Sequence, residues 1–195
     1  MLLKRHFSKG LIMQIILIEM LLILFIGSIF PASGLSAESG WNEVGVRTGF
    51  QASSKFRYFH QYEAFAVYGL PWDWRSSSGW GLAPNANISL GILNSGDHNG
   101  FISSVGTAVV LNTLEPGFST DFGINANVLN RRHLAGQDFG SILQFGAYLG
   151  VNYRLNNGLK IGYRLQHISN GHIFYKSGTP NPGLDMHMVG ISYVF

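Results

Sequence analysis

The stretch Ser141-Ile-Leu-Gln-Phe-Gly-Ala-Tyr-Leu-Gly-Val-Asn-Tyr-Arg-Leu155 alternates in character with a period of two residues. From Leu143 onward its odd positions are apolar or aromatic, while its even positions are mostly small or polar. Successive side chains of a β-strand point to opposite faces, so this alternation predicts a strand with one oily face. The helical period of about 3.6 residues is absent from Trp41 onward, which favours an all-β chain.

Seven other segments alternate in a similar way, separated by turn-forming sequences such as Glu115-Pro-Gly117 and Asn156-Asn-Gly158. Several exceed the roughly 9–11 residues with which a tilted strand crosses the hydrocarbon of a bilayer. Strands of soluble proteins average only about 5–6 residues. The eight predicted strands span 42–52, 57–69, 79–94, 99–112, 117–130, 138–155, 158–169 and 185–195.

Eight strands are compatible with a soluble sandwich or with a membrane barrel. The chain ends Gly190-Ile-Ser-Tyr-Val-Phe195, which resembles the C-terminal signature of bacterial outer-membrane barrels. In lipid, a β-sheet can hydrogen-bond all of its backbone N–H and C=O groups only if it closes on itself. We therefore expect an eight-stranded antiparallel up-and-down transmembrane β-barrel with a side-chain-filled interior. Four residues are predicted to form charge pairs in that interior: Glu63, Asp121, Lys160 and Arg164.

Residues 1–37 have the features of a cleaved export signal. Three cations lie near the start, Met20–Phe30 is an uncharged and largely apolar run, and small residues follow it. A retained anchor helix is the alternative, although Glu19 near the middle of a membrane disfavours it. We expect a signal peptide over 1–37 and a single outer-membrane β-barrel domain over 38–195.

Composition excludes several classes of protein. Beyond residue 37 the chain has ten basic and nine acidic residues, and it carries no basic stripe that would suggest nucleic acid. A hydrophobic content of 46% excludes disorder. After the leader, no apolar run reaches the roughly 20 residues of a membrane helix. The absence of cysteine removes disulfides and thiolate metal sites.

The seventh predicted strand carries two chemically active side chains on its oily face. In Leu159–Ser169 the charged residues occupy even positions, which belong in the polar interior, so the odd positions face lipid. This parity puts His167 and Ser169 outside, two residues apart. The last predicted strand repeats the pattern, since counting back from its terminal aromatic residue in steps of two reaches His187 and Asp185.

Register brings these groups together. Ser169 lies ten residues from Leu159, and Asp185 lies ten residues from Phe195 at the same rim. At about 3.4 Å per residue and roughly 40° of tilt, both reach about 26 Å, near the far edge of the apolar band. A hydroxyl, an imidazole (His167) and a carboxylate in one region are the parts of an activated nucleophile. The alternative is ordinary interfacial polarity, because barrel strands become polar where they leave the hydrocarbon.

The segment His167-Ile-Ser-Asn-Gly171, followed by Asn181-Pro-Gly-Leu-Asp185, resembles the signature of the outer-membrane lipid A 3-O-deacylases (PagL type, acyloxyacyl-hydrolase-like). That signature is H-x-S-N-x-G, then N-x-G-x-E/D at the start of the last strand. The resemblance implies that Ser169 is the nucleophile, His167 its general base and Asp185 the group that orients the imidazole. It also implies an oxyanion hole formed by Asn170 and a backbone N–H of the 171–172 turn, which includes His172.

Three features depart from the family pattern. The glycine of the family is His172 here, and the frequent glutamate is Asp185, which is one methylene shorter. The loop 173–180 is longer than in the shorter members. The residues leave the role of His187 open.

The resemblance implies an outer-membrane serine esterase that hydrolyses the 3-O-linked hydroxyacyl chain of lipid A. Its partners are then lipid A or lipopolysaccharide in the outer leaflet of the bacterial outer membrane, without nucleic acid; the oligomeric state is left open. We expect no cofactor or metal, because His167 and Asp185 alone make too few ligands and serine binds zinc poorly. The main alternative is a non-enzymatic small barrel serving adhesion or membrane integrity. A lipid A acyltransferase is disfavoured because residues 38–56 show no amphipathic helix.

Overall fold

The computed structural model describes residues 39–52, 57–172 and 178–195, and these residues are built from β-strands and their connections. The predicted signal peptide over 1–37 lies outside the described residues. Over the described ranges, the chain contains no helix long and apolar enough to cross a membrane.

Eight long strands and one two-residue strand, Trp74–Arg75, form the sheet, and seven of the long strands begin and end within three residues of the predicted bounds. The exception is the sixth, predicted from residue 138, which begins at Leu143 because Gln137–Asp138 pairs with His133–Leu134 in a small separate hairpin. The strands are β1 (Gly40–Gln51), β2 (His60–Gly69), β3 (Gly81–Ser95), β4 (His98–Asn112), β5 (Phe118–Leu129), β6 (Leu143–Arg154), β7 (Leu159–Ser169) and β8 (Leu184–Val194).

Each strand pairs antiparallel with its neighbours in sequence, and β1 pairs with β8 to close the sheet. The predicted eight-stranded up-and-down barrel is therefore confirmed. We call the end where β7 finishes and β8 begins the site end, and the opposite end the far end. The site end carries the connections 52–59, 96–97, 130–142 and 170–183.

Outward-facing side chains form a continuous apolar belt around the barrel. A water-soluble monomer rarely exposes a contiguous apolar patch of more than a few hundred Å², so this belt is a lipid-facing surface. Aromatic residues flank it, as expected for side chains at a membrane interface: Trp41, Tyr58, Tyr62, Trp72, Trp74 and Tyr193. The belt includes Val46, Ile88, Leu90, Val105, Phe122, Ile124, Leu149, Ile161, Leu165, Val189 and Ile191, all of them exposed.

The side chains that fill the interior differ between the far end and the site end. The far half contains a cavity of about 490 Å³ whose walls combine apolar side chains with charged ones, including Arg47, Asp121 and Arg164. All four residues predicted to form interior charge pairs do so: Arg164 pairs with Asp121 at 3.1 Å, Glu63 pairs with Arg47, and Lys160 pairs with Glu43. Interior charges therefore pair across strands, which compensates their removal from water.

At the site end, buried amide side chains such as Gln61, Gln144 and Gln166 lie beside a cluster of buried apolar side chains, which the sequence did not predict. We call this cluster the apolar plug; it contains Phe59, Leu93, Ile102, Leu129, Leu134, Ala135, Phe139, Ile168, Leu184, Met186 and Met188. Ile168, Leu184 and Met186 alternate along β7 and β8 with the outward-facing candidate residues. The plug therefore supports from inside the part of the sheet that carries the candidate site outside.

Candidate active site

Strands β7 and β8 place His167 directly opposite Asp185 on the outer face of the barrel. His167 Nδ1 lies 2.6 Å from Asp185 Oδ1, and the two side chains are 53% and 46% exposed. A carboxylate only accepts hydrogen bonds, so Nδ1 carries the proton in the neutral ring and Nε2 is the acceptor. This is the tautomer that a general base requires.

Gly183 lies beside the imidazole at the entry to β8. Its φ is +64°, in the left-handed region that favours glycine. A Cβ at this position would lie 3.1 Å from His167 Cε1 and 3.8 Å from Nε2. The absence of a side chain at Gly183 therefore leaves room for the ring against the backbone.

Ser169 follows His167 by two residues at the end of β7, so both side chains share the outer face. Their Cα atoms are about 7 Å apart at this spacing, within reach of a contact between imidazole and hydroxyl. Ser169 is half-buried. In the described part of the chain its hydroxyl has no hydrogen-bonding partner. Catalytic hydrogen bonds are commonly long in free enzymes and tighten when substrate binds.

Asn170 is fully buried, and its amide is completely used within the protein. Nδ2 donates to the carbonyl of Phe139 at 3.0 Å and to that of Pro180 at 2.7 Å. Oδ1 accepts from the N–H of His172 at 2.9 Å. To act as an oxyanion donor, the Asn170 side chain would first have to give up one of these carbonyls.

The 171–172 turn has positive φ at both residues, +60° at Gly171 and +53° at His172. A glycine adopts this conformation without strain, which explains in physical terms why the family pattern has glycine where this chain has His172. The N–H of His172 is already donated to Asn170. Gly171 is exposed, and its N–H has no partner among the described residues.

His187 lies on the same face of β8, two residues beyond Asp185. Its Nδ1 lies 2.5 Å from the hydroxyl of Tyr163, and its ring stacks on Phe50 with centroids 5.2 Å apart. It is opposite Leu165, one step further from Ser169 than the His167–Asp185 pair. His187 therefore belongs to an aromatic cluster below the site and does not replace His167.

Sequence reasoning missed the residues that hold the turn after Ser169. The side chain of Asn181 accepts from the N–H of Asn170 at 3.1 Å, and Gln144 donates to the carbonyl of Phe139 at 3.3 Å. Asn181 is the first residue of the segment Asn181–Asp185 that resembles the family signature, but the sequence analysis assigned it no role. Phe139 contributes its backbone carbonyl, which every residue has, so no sequence signal could identify it.

The 130–142 loop carries the charges nearest to this turn. Arg132 binds Asp138 with two nitrogens, at 3.0 and 3.1 Å, and His133 contacts the same carboxylate at 3.2 Å. Desolvation opposes ionisation of Asp138, but the N–H of Gly140 and the charges of Arg132 and His133 outweigh it. The pKa of Asp138 is therefore lowered. Arg131 is exposed next to this cluster.

A metal site would need several ligands in one place. Over the described ranges, no group of three or more His, Asp or Glu side chains is arranged to hold a metal ion.

Comparison with known proteins connects this geometry to a family. Residues 60–194 match the model of the family described as lipid A 3-O-deacylase (PagL). The lipid A deacylase PagL of Bordetella bronchiseptica is 36% identical over 78 residues, 40% of this chain and 42% of that protein. The match thus spans less than half the length of this curated relative.

The barrel of a solved structure has the same fold. The crystal structure of the outer membrane enzyme PagL superposes with a TM-score of 0.66 at 19% identity, covering 78% of this chain and 99% of that one. Neisserial surface protein A superposes with a TM-score of 0.47 at 15% identity, covering 82% and 100%. The family match covers more than half of the chain and includes β7, β8 and the paired His167 and Asp185. The chain belongs to the lipid A 3-O-deacylase (PagL) family.

Proposed function

We propose that the protein is an outer-membrane serine esterase that removes the 3-O-linked hydroxyacyl chain of lipid A, with Ser169, His167 and Asp185 as its catalytic triad. The observation that carries the proposal is the 2.6 Å His167–Asp185 hydrogen bond on the exposed outer face, two residues from Ser169. Family membership supplies the reaction class, and the pair supplies the groups that this reaction needs.

The reaction follows from the roles of the three side chains. His167 Nε2 removes the hydroxyl proton as Ser169 Oγ attacks the ester carbonyl, and Asp185 stabilises the imidazolium through Nδ1–H. The tetrahedral intermediate expels the sugar oxygen, which takes the proton back from His167. Water, deprotonated by the same imidazole, then attacks the acyl-enzyme and releases the hydroxy fatty acid.

The oxyanion needs a donor, and the exposed N–H of Gly171 fits this role. It lies two residues after the nucleophile on an exposed turn, with no partner in the described part of the chain. Removing one such donor from a hydrolase costs about 3–4 kcal/mol of transition-state stabilisation.

The position of the triad suits a lipid substrate. His167 and Asp185 lie on the outer face at the site end, where the apolar belt gives way to polar groups. Lipid A in the outer leaflet presents its ester at such an interface, so it reaches Ser169 from the side without entering the barrel. This assignment requires export of residues 38–195, for which the segment 1–37 is the proposed signal peptide.

Mass spectrometry of lipid A tests the proposal. Cells without their own deacylase would express the wild type, Ser169→Ala or Ser103→Ala, a matched control that removes another half-buried serine from the outer face of β4. Wild type and Ser103→Ala should remove one hydroxyacyl group, whereas Ser169→Ala should leave lipid A intact. If the wild type left the mass of lipid A unchanged, the proposed function would be refuted. If Ser169→Ala still cleaved lipid A, the assignment of Ser169 as nucleophile would be refuted.

A further inference from the structure

Two histidines interrupt the lipid-facing surface next to the triad. On the outer face, Phe50 of β1 lies opposite His187 of β8 on one side and opposite His60 of β2 on the other. The ring of Tyr163 adjoins that of His187, and the ring of Tyr62 adjoins that of His60. We call these five residues the aromatic row. It begins two residues from the triad carboxylate on β8, so it is continuous with the candidate active site.

We propose that the aromatic row is a second binding site for the substrate, which holds the part of lipid A that is not cleaved. Its ligands are the ester or amide oxygens and the hydroxyl groups of the remaining acyl chains. The proposed function supplies the identity of the lipid, and the inference rests on it in that respect. The uncleaved part of the lipid then covers the β8–β1–β2 side of the triad.

The pair formed by His187 and Tyr163 presents a hydrogen-bond donor to the lipid. Nδ1 of His187 lies 2.5 Å from the Tyr163 hydroxyl. A phenol O–H is a stronger acid than a neutral imidazole N–H, so the phenol donates and the ring hydrogen is on Nε2. Nε2 has no partner among the described residues. An unpaired polar group costs free energy next to hydrocarbon, and a lipid oxygen that accepts from Nε2 would remove this cost.

His60 provides a second set of polar atoms on the same side of the triad. Its ring lies edge-on to Tyr58, with centroids 5.1 Å apart, and stacks with Tyr62 at 6.5 Å. Neither ring nitrogen has a hydrogen-bonding partner in the described part of the chain. Neighbouring strands are about 4.8 Å apart, so two strand spacings place His60 about 10 Å from His187. Separate oxygens of a lipid with several acyl chains are needed to reach both rings.

The depth of the row suits the oxygens of acyl chains. His187 lies two residues from Asp185 along β8. At about 3.4 Å per residue and roughly 40° of tilt, it lies about 5 Å deeper in the membrane than the triad. The ester and amide groups of lipid A lie close to the cleaved ester, because all its chains are attached to one sugar backbone. The hydroxyl of a 3-hydroxyacyl chain lies two carbons beyond its carbonyl, and is therefore deeper.

The other side of the triad is apolar. The outward-facing residues of β6 and β5 at the corresponding register are exposed and carry no polar group: Ala147, Leu149, Ile124 and Phe122. An acyl oxygen gains no hydrogen bond from these four side chains, whereas a hydrocarbon chain needs none. The cleaved chain is therefore expected over β6 and β5, and the rest of the lipid over the aromatic row.

The test compares two substrates in detergent micelles without phospholipid, so that no neighbouring membrane lipid contributes. One is lipid A, and the other is the 4-nitrophenyl ester of a 3-hydroxy fatty acid, which has a single acyl chain. The variants His187→Phe, His60→Phe and their double variant keep a ring at each position and remove its nitrogens. Tyr193→Phe is the matched control, because it removes an exposed phenol from β8 at the far end. Electrophoretic mobility without heating verifies that each barrel is folded.

Each single variant should raise the KM for lipid A about fivefold, as expected for one lost hydrogen bond. The ratio of kcat/KM for lipid A to kcat/KM for the one-chain ester should fall by the same factor. The effect belongs in KM, because the row contacts the substrate equally in the ground state and the transition state. The double variant should lose about 25-fold, since the two histidines are far enough apart to act independently. His187→Gln should recover most of the single loss, because its amide also donates, and Tyr193→Phe should match the wild type on both substrates.

Three results would overturn the inference. Equal losses on both substrates would mean that the histidines only support the structure around the triad. An unchanged KM for lipid A in the double variant would show that the row does not contact the substrate. An equal loss in Tyr193→Phe would show a general effect of polar aromatic side chains on the belt.

Calorimetry separates this inference from the proposed function. Lipid A is titrated into micelles of Ser169→Ala, with and without the two histidine substitutions. The substitutions should weaken binding about 25-fold, and an unchanged affinity would refute the second binding site. If the wild type cleaved neither substrate, the proposed function would be refuted, and the calorimetric comparison would still decide whether the row binds lipid A.

Discussion

Two acid–base pairs of nearly the same length lie on opposite faces of one sheet. Arg47 Nε is 2.7 Å from Glu63 Oε1 inside the barrel, with side chains 8% and 4% exposed. His167 Nδ1 is 2.6 Å from Asp185 Oδ1 outside, with side chains 53% and 46% exposed. Each pair joins residues on neighbouring strands that are opposite in register.

The two pairs have different roles because one is buried and the other is exposed. The guanidinium of Arg47 lies 3.9 Å over the ring of Phe65, and Glu63 also accepts from Gln61 and Ser89, so the inner pair belongs to a buried network. Breaking such a pair leaves an uncompensated charge without water. An exposed pair is screened and contributes little to stability. The outer pair therefore orients one nitrogen for chemistry, whereas the inner pair stabilises the barrel.

The largest expected effect separates activity from stability at the outer site. Ser169→Ala should lower kcat by more than about 10⁴-fold, because the nucleophile acts as a unit with the rest of its triad. The unfolding midpoint in urea should not change, since the hydroxyl makes no hydrogen bond to any described residue. Single-turnover assays on lipid A measure the first quantity. A large loss of stability would show that Ser169 is a structural residue.

Asp185→Asn should have the next largest effect. The amide can present its NH₂ to the imidazole and stabilise the wrong tautomer, so we expect kcat to fall about 10³-fold, equivalent to about 4 kcal/mol. Asp185→Glu, which restores the common family residue, should stay within about tenfold of the wild type. The KM for lipid A should be similar in both variants. A change confined to KM would mean that Asp185 binds substrate and does not orient His167.

The matching change inside the barrel should act on stability alone. Glu63→Gln leaves the Arg47 charge buried and unpaired, so the free energy of unfolding should fall by about 3–5 kcal/mol. The kcat per folded molecule should equal that of the wild type, because Glu63 lies across the sheet from the site. Urea titration of the barrel in micelles, combined with kinetics at low urea, measures both. If kcat fell by the same factor as in Asp185→Asn, the two pairs would not be independent.

Much of the contrast between the inner and the outer pair could be predicted from the two-residue alternation of side chains along each strand. The side-chain alternation of a strand is set by backbone geometry, so the sequence correctly predicted outward-facing His167 and Asp185 and inward-facing Arg164. Counting residues from a common rim predicted similar heights for β7 and β8, and the observed register pairs His167 with Asp185. The local sequence pattern was sufficient to predict these positions, because each prediction depended only on one strand and its neighbour.

The remaining features depend on contacts between distant segments. Buried amides are present in the interior at the site end as predicted, but the apolar cluster in which Ile168 and Met186 pack with loop residues such as Phe139 was not predicted. The hydrogen bonds of Asn170 end on backbone carbonyls, which have no signature in sequence. Nor could residue type alone reveal the positive φ of His172, because only a small fraction of non-glycine residues adopt it. These features exist only once the loops are folded over the barrel.

The smallest expected effect concerns how tightly the outer pair is enclosed. Gly183→Ala would place a Cβ 3.1 Å from His167 Cε1, so the ring must move by a few tenths of an ångström. We expect kcat to fall about tenfold, near 1.4 kcal/mol, with little change in KM. Gly178→Ala is the control, because its φ of +91° imposes comparable backbone strain but its Cβ would meet no atom within 4 Å. Equal losses in the two variants would assign the effect to strain in the 178–183 segment. A loss confined to Gly183→Ala would show that the exposed pair, unlike the buried one, tolerates no displacement because its geometry serves the reaction.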